Sequence, residues 1–278
     1  MSLSNRTCIV TGANTGLGFH VAKGLAARGA DTTLLCRSRE KGERAVQAIR
    51  AALPDASVAL AVCDLSSLRS VRDFIAHFKA THASLDLLYN NAAVMKSKRT
   101  TTEDGFEMMF QVNYLAAFVL MTSLLGLLRN GSSPGIINNG RPSAKLRLDL
   151  DDLQAKKRYG MYRSFFRTKL CLVFATMELA RRPERDGVAV TMVDPGTFKS
   201  ELVRDVKLGA WFKNLLSSPV EKAAGNILYH TDPAAMASRN GKVFREQKEY
   251  PVPEYWQEAS VAQRLWSLTE SMLEGRAH

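Results

Sequence analysis

The chain has 278 residues, 46% of them hydrophobic and 23% charged, with 18 glycines and 9 prolines. That is an ordinary size for one open α/β sheet, and the composition excludes a disordered, collagen-like or coiled-coil protein. The 38 Lys and Arg outweigh the 27 Asp and Glu, a formal charge of +11, which favours anionic partners without choosing among them.

Taken in chain order, short β-rich runs alternate with longer helical patterns, as right-handed βαβ units require. Strands are predicted at Thr7–Thr11, Thr32–Cys36, Val58–Cys63, Leu85–Tyr89, Gly135–Asn138, Val188–Val193 and Lys242–Phe244. They are nearly continuous apolar runs, the pattern of a parallel sheet covered on both faces. Helices are predicted at Leu17–Ala27, Arg39–Leu53, Leu68–Thr81, Asp104–Arg129, Tyr162–Arg182 and Ser260–Leu273. The fold class is therefore α/β: one Rossmann-type domain over residues 1–278, a doubly wound parallel sheet of seven strands. Two insertions, Asn139–Arg158 and Leu202–Ser218, follow strand ends, where open α/β sheets bind ligands. The second holds Trp211 and Phe212, and residues 202–218 are read as a substrate-covering flap.

Four cysteines, Cys8, Cys36, Cys63 and Cys171, lie far apart, with no Cys-x-x-Cys and no histidine at ligand spacing. Reduced buried thiols and no metal site are expected. The chain runs at once into its first strand, leaving no room for a signal peptide. The longest apolar stretch, Tyr114–Leu128, is too short to span a bilayer. A cytoplasmic protein without a transmembrane segment is the expectation, and nothing in the sequence calls for nucleic acid.

The segment Thr11-Gly12-Ala13-Asn14-Thr15-Gly16-Leu17-Gly18 sits between the first strand and the first helix. Glycines there let the backbone turn tightly and approach a pyrophosphate held at the helix N-terminus. At the end of the second strand, an enzyme preferring NAD places an acid on the ribose 2′-hydroxyl. This chain has Cys36-Arg37-Ser38-Arg39 instead, so Arg37 with Ser38 is expected to grip a 2′-phosphate, and NADP(H) is the expected cofactor.

With these motifs the chain resembles the short-chain dehydrogenase/reductase superfamily, and within it the branch of retinol dehydrogenases and protochlorophyllide reductases. The resemblance continues through Cys63-Asp64-Leu65-Ser66, Asn90-Asn91-Ala92-Ala93, Val112-Asn113, Glu178-Leu179-Ala180-Arg181-Arg182 and Pro195-Gly196-Thr197. It implies that Asp64 and Leu65 frame the adenine and that Asn91 and Ala92 line the cofactor trough. Pro195, Gly196 and Thr197 would hold the nicotinamide amide. The stretches Tyr114–Leu128 and Leu170–Leu179 resemble the helices that pair subunits there, which implies a homodimer, or else helices buried within one chain.

The same resemblance implies general acid chemistry. A tyrosine gives its proton to a carbonyl oxygen, a lysine four residues on lowers the tyrosine pKa, a serine polarises the oxygen, and an asparagine carries a relay water. Lys169 and Asn113 stand at the lysine and asparagine positions. The tyrosine position is Phe165, which has no proton to donate, and the serine position falls on Arg141. Lys169 also implies contact with the nicotinamide ribose. Tyr162, seven residues before Lys169, faces the same way but about 5 Å further along the axis, and reads as a ring at a helix start. Ser143 and Ser164 are the other nearby hydroxyls.

Asp194, immediately before Pro195-Gly196, is expensive at a buried strand end unless paired. Arg141, ending a neighbouring strand, is its expected partner. Asp194 is then either half of a structural ion pair or the group that stabilises a cationic substrate, with Arg141 orienting the substrate's oxygen. Loss of Ser and Tyr beside an Asp-Pro-Gly is similar to the bifunctional reductase/Diels–Alderases of indole-alkaloid pathways, in which an already charged iminium needs no tyrosine acid. Three readings stand: a reductase of specialised metabolism acting on a small cationic or apolar molecule, a non-redox cyclase or isomerase, and a nucleotide-binding pseudoenzyme.

Overall fold

The computed structural model describes residues 2–140, 143–198 and 218–275. Among them, eight strands form one sheet in the order β3-β2-β1-β4-β5-β6-β7-β8. They are β1 Thr7–Thr11, β2 Asp31–Cys36, β3 Val58–Val62, β4 Leu87–Asn90, β5 Gly135–Asn139, β6 Ala189–Asp194, β7 Val243–Arg245 and β8 Lys248–Glu249. The first seven run parallel and β8 returns antiparallel. The two-residue period of a strand splits each run between two cores. In β1, Ile9 joins the layer on one face while Cys8 and Val10 join the other.

On one face lie α1 Gly16–Ala26 and α2 Arg39–Ala52, and on the other α3 Leu68–Thr81. The single helix expected over Asp104–Arg129 is instead four pieces: α4 Met108–Phe110, a π turn Gln111–Leu115, α5 Ala116–Ser123 and α6 Leu125–Arg129. Its start lies late because Glu107 caps α4, accepting from the amides of Met109 (2.9 Å) and Phe110 (2.8 Å). Asp104 serves a different helix, accepting from the Leu68 amide at 2.8 Å. The long α7, Met161–Arg181, follows.

Two helices were not anticipated, α8 Val220–Tyr229 and α9 Pro233–Met236. The second carries a legible start signal: Asp232 caps it and Pro233 sits in its first turn. The last helix, α10 Ala259–Glu274, lies on α5 and α7: Trp266 meets Phe118 edge-on at 4.6 Å, and the Tyr114 and Thr269 hydroxyls are 2.8 Å apart. The stretches expected to pair subunits are thus buried under this chain's own α10.

The expected seventh strand has an unexpected neighbour. β8 is two residues long and follows a two-residue turn in which Glu246 takes φ of 55°. Neither an apolar run nor a turn glycine announced it. Among the described residues all four cysteines are buried and free, no helix is long and apolar enough to cross a membrane, and no metal-ligating cluster occurs.

Candidate active site

Strand order reverses direction between β1 and β4, and the C-terminal ends of the strands open there onto a cleft of about 560 Å³. Gly12 leaves β1 with φ of 65° while its amide donates to the Leu35 carbonyl at 2.8 Å, tying the turn to β2. Gly16, with φ of 56°, opens α1, and a Cβ there would meet nothing within 4 Å. The open space beside Gly16 is what a phosphate-binding backbone needs. Gly18 has the opposite reason: a Cβ would strike the Gly12 carbonyl and come within 2.5 Å of Asn91 Nδ2.

Asn91 and Thr11 weld the two halves. Thr11 Oγ1 accepts from the amides of Asn91 and Ala92, each at 2.9 Å, and Asn91 Nδ2 donates to the Thr11 carbonyl at 2.9 Å. Asn91 Oδ1 accepts from Asn139 Nδ2 at 3.1 Å, and the Asn139 carbonyl accepts from Lys169 Nζ at 2.9 Å. One hydrogen-bonded line therefore connects the glycine turn to the lysine.

Most of the expected cofactor residues line this cleft: Gly12, Asn14, Thr15, Gly16, Leu17, Gly18, Arg37, Asp64, Leu65, Asn91, Ala92, Lys169, Pro195 and Gly196. Two do not. The Ser38 hydroxyl caps α2, accepting from the Lys41 amide at 3.3 Å. Thr197 is exposed, with its carbonyl taking the Ser218 amide at 3.2 Å. Arg37 is exposed at the rim, while Arg39 turns to Glu43 at 3.7 Å on the surface of α2.

At the chemical end, Lys169 is 3% exposed. Burial pushes its ammonium down from 10.5 to about 8, because the low-dielectric interior penalises the charge. The Phe165 ring centroid lies 5.8 Å from Nζ. None of the seven tyrosines, all within the described residues, lines the cleft. Tyr162 is exposed on the first turn of α7, and Tyr159 Oη donates to the Lys96 carbonyl at 2.6 Å. Ser164 is buried with its hydroxyl unpartnered. Asn113, in the π turn, spends its amide on structure: Oδ1 accepts from the Val94 amide (2.7 Å), and Nδ2 donates to the Val94 carbonyl (3.0 Å) and Thr168 Oγ1 (3.2 Å). It borders, with Lys169, a void of about 10 Å³, the size of a single water.

Asp194 is buried at the end of β6 and lines the cleft. Arg141, its expected partner, lies outside the described residues, as does most of the 202–218 flap. Its carboxylate meets Arg245 Nε at 3.4 Å and accepts from the Gly196 amide at 3.1 Å. The β6–β7 register puts Asp194 opposite Arg245. The strand predicted at Lys242–Phe244 stops one residue short of that partner, so the opposite charges at two adjacent strand ends were the missed signal. Lys96, Met108, Asn139 and Phe198 also line the cleft; their types carry no motif, and only the fold brings them together.

Comparison with known proteins agrees with this geometry. The family profile described as short chain dehydrogenase matches residues 6–210. Human retinol dehydrogenase 13 is 38% identical over 96% of this chain and 84% of its own length. Mouse retinol dehydrogenase 11 is 35% identical over 98% of this chain and 88% of its own. A crystal structure of an uncharacterised protein from Mycobacterium paratuberculosis superposes with a TM-score of 0.77 at 26% identity, covering 98% of this chain and 95% of that one. By fold, by cleft and by sequence, this chain belongs to the short-chain dehydrogenase family, in its retinol-dehydrogenase-like branch.

Proposed function

We propose that the protein is an NADP(H)-dependent reductase in which the Lys169 ammonium, rather than a tyrosine, holds the proton given to the substrate. The residues fit the cofactor: Gly16, at positive φ, faces open space, and Arg37 stands at the rim with no acid in its place. Gly12 to Gly18 would carry the pyrophosphate, Arg37 the 2′-phosphate, Asp64 and Leu65 the adenine, and Pro195 and Gly196 the nicotinamide end. When bound, the nicotinamide supplies the hydride.

The observation that carries this reading is Lys169: a buried amine at the chemical end of the cleft, its proton held loosely near neutral pH, beside a ring with no hydroxyl. A group with a pKa near the working pH is suited to giving up a proton. A lone lysine supplies less than a tyrosine–lysine–serine set, which favours acceptors that bring their own activation, such as enones, and supports a role in specialised metabolism. The four unbridged thiols support a reducing, cytoplasmic setting.

Titration with NADPH and NADH tests the cofactor. A charge-assisted hydrogen bond contributes about 1.5–3 kcal/mol, so NADPH should bind about 10- to 100-fold more tightly. Arg37→Ala should erase that preference and leave NADH binding unchanged. Equal affinities in the unaltered protein would overturn the assignment.

A further inference from the structure

Beyond the glycine turn and Lys169, the cleft has a second cationic feature at its mouth. The segment after β4 is stitched to the segment before α7. Tyr159 Oη donates to the Lys96 carbonyl at 2.6 Å, Arg99 Nε to the Gln154 carbonyl at 3.2 Å, and the Glu107 amide to Gln154 Oε1 at 3.1 Å. This brings together Lys96, Lys98, Arg99, Lys156, Lys157 and Arg158, and of these Lys96 lines the cleft itself beside Val94 and Met108.

Two acids of these stretches are turned inward. Asp152 is buried and accepts from the backbone amides of Lys156 (2.6 Å) and Lys157 (3.1 Å). Glu107 is buried and caps α4. Among the described residues none of the six cations is in an ion pair within 4.0 Å, although Arg39, Arg44, Arg181, Arg182, Lys242 and Arg264 elsewhere all are. The exposed acids of the same stretches, Glu103, Asp149 and Asp151, are fewer than the six cations, and a rim of net positive charge beside an apolar cleft focuses its field on whatever enters. Inside, Val94, Met108, Val112, Phe165 and Phe198 offer apolar wall.

We infer that the substrate is an amphipathic acid: an apolar body that enters the cleft and an anionic group, carboxylate, sulfate or phosphate, held at the mouth by Lys96 and its five neighbours. The inference rests on the reading of the cleft as a reductase site, and binding tests it without turnover. The NADPH-saturated full chain is titrated calorimetrically with dodecanoate and with 1-dodecanol, the same body without the charge. Dodecanoate is expected to bind at least about tenfold more tightly at low salt, with the gap narrowing as salt is added. The double variant Lys96→Gln/Lys98→Gln, which keeps the Arg99–Gln154 bond, should bring dodecanoate to the level of dodecanol, while Lys41→Gln on α2 should leave the preference intact.

Equal affinity for acid and alcohol overturns the inference, as does a preference that survives the double variant. Sedimentation with vesicles of phosphatidylcholine containing phosphatidylserine, without selective dodecanoate binding, also overturns it by assigning the rim to a membrane. Absence of NADPH binding in the separate titration would instead sink the reductase reading, so the two failures are distinguishable.

Discussion

Replacing Lys169 by methionine separates what this residue costs the fold from what it supplies to the site. Burial lowers its pKa from 10.5 to about 8. At about 1.4 kcal/mol per tenfold change in proton affinity, keeping that charge out of water costs the folded protein about 3 kcal/mol. Methionine keeps the apolar stem and removes the charge, but leaves the Asn139 carbonyl without the donor it has at 2.9 Å, a loss of about 1 kcal/mol. The variant should therefore be more stable by about 2 kcal/mol near pH 7. The sign with pH follows from the lowered folded pKa. Between about pH 8 and 10.5 the unfolded chain binds more protons than the folded one, so the unaltered protein gains stability through that window. The variant's advantage should shrink from about pH 8 upward and reverse to a deficit of about 1 kcal/mol near pH 10.5. Urea unfolding followed by the fluorescence of buried Trp256 and Trp266, run at about pH 7, 8.5 and 10, reads the difference directly. A gap that stays constant across that range refutes the claim that Lys169 is held against its charge. Loss of NADPH oxidation in the same variant, with NADPH still bound, is the expected companion.

Phe165→Tyr restores a phenol four residues before Lys169, and reduction of simple aldehydes and ketones should rise by about 100-fold or more; no gain, with NADPH affinity intact, would show that the space beside Lys169 is not where a substrate oxygen sits. Trp266→Ala removes a side chain packed edge-on to Phe118 at 4.6 Å and beneath the Arg182 guanidinium at 4.3 Å. It should cost about 3–5 kcal/mol in urea unfolding and uncover the α5–α7 face; a loss under about 1 kcal/mol would show that α10 is not a working part of the core.

The glycine turn and most of the strands were legible because each is a local requirement. Gly12 and Gly16 need positive φ, Gly18 needs the absence of a Cβ, and strands covered on both faces must be apolar throughout. The missed pieces answer to partners far away in the chain. Asp104 reads as the start of a long helix but caps nothing there, because the Leu68 amide, 36 residues earlier, claims it. Tyr114–Leu128 and Leu170–Leu179 read equally as a dimer face and as core, and it takes α10, near the end of the chain, to cover Tyr114 and Phe118. Asp194 announced that it needed a cation, but Arg245 lies 51 residues on, in a strand too short to be placed to the residue. The rim cations carried no signal at all. Lys96 and Lys156 are ordinary surface lysines until the bonds at Tyr159 and Gln154 set their segments side by side.

Which sign of charge a substrate brings depends on which charges in the cleft are already answered. A buried carboxylate left without partners is costly by several kcal/mol, so an acid that closes β6 beneath Pro195 and Gly196 must be met from within the protein. Asp194 is met: a cation from the adjacent strand stands on one oxygen and a backbone amide on the other. Its negative charge is engaged in holding β6 to β7 at the point where the chain turns to line the cleft. The cations of the mouth differ, since two carboxylates of the same stretches, Asp152 and Glu107, are spent on backbone amides. An approaching iminium would therefore cross a positive rim to reach an acid already paired, whereas an acid-bearing molecule would be drawn by the rim, and the other acid of the cleft, Asp64, accepts from the Ser66 amide and hydroxyl. The pairing of Asp194, which at first sight makes room for a cationic substrate, is what leaves the positive mouth in control of which molecules enter.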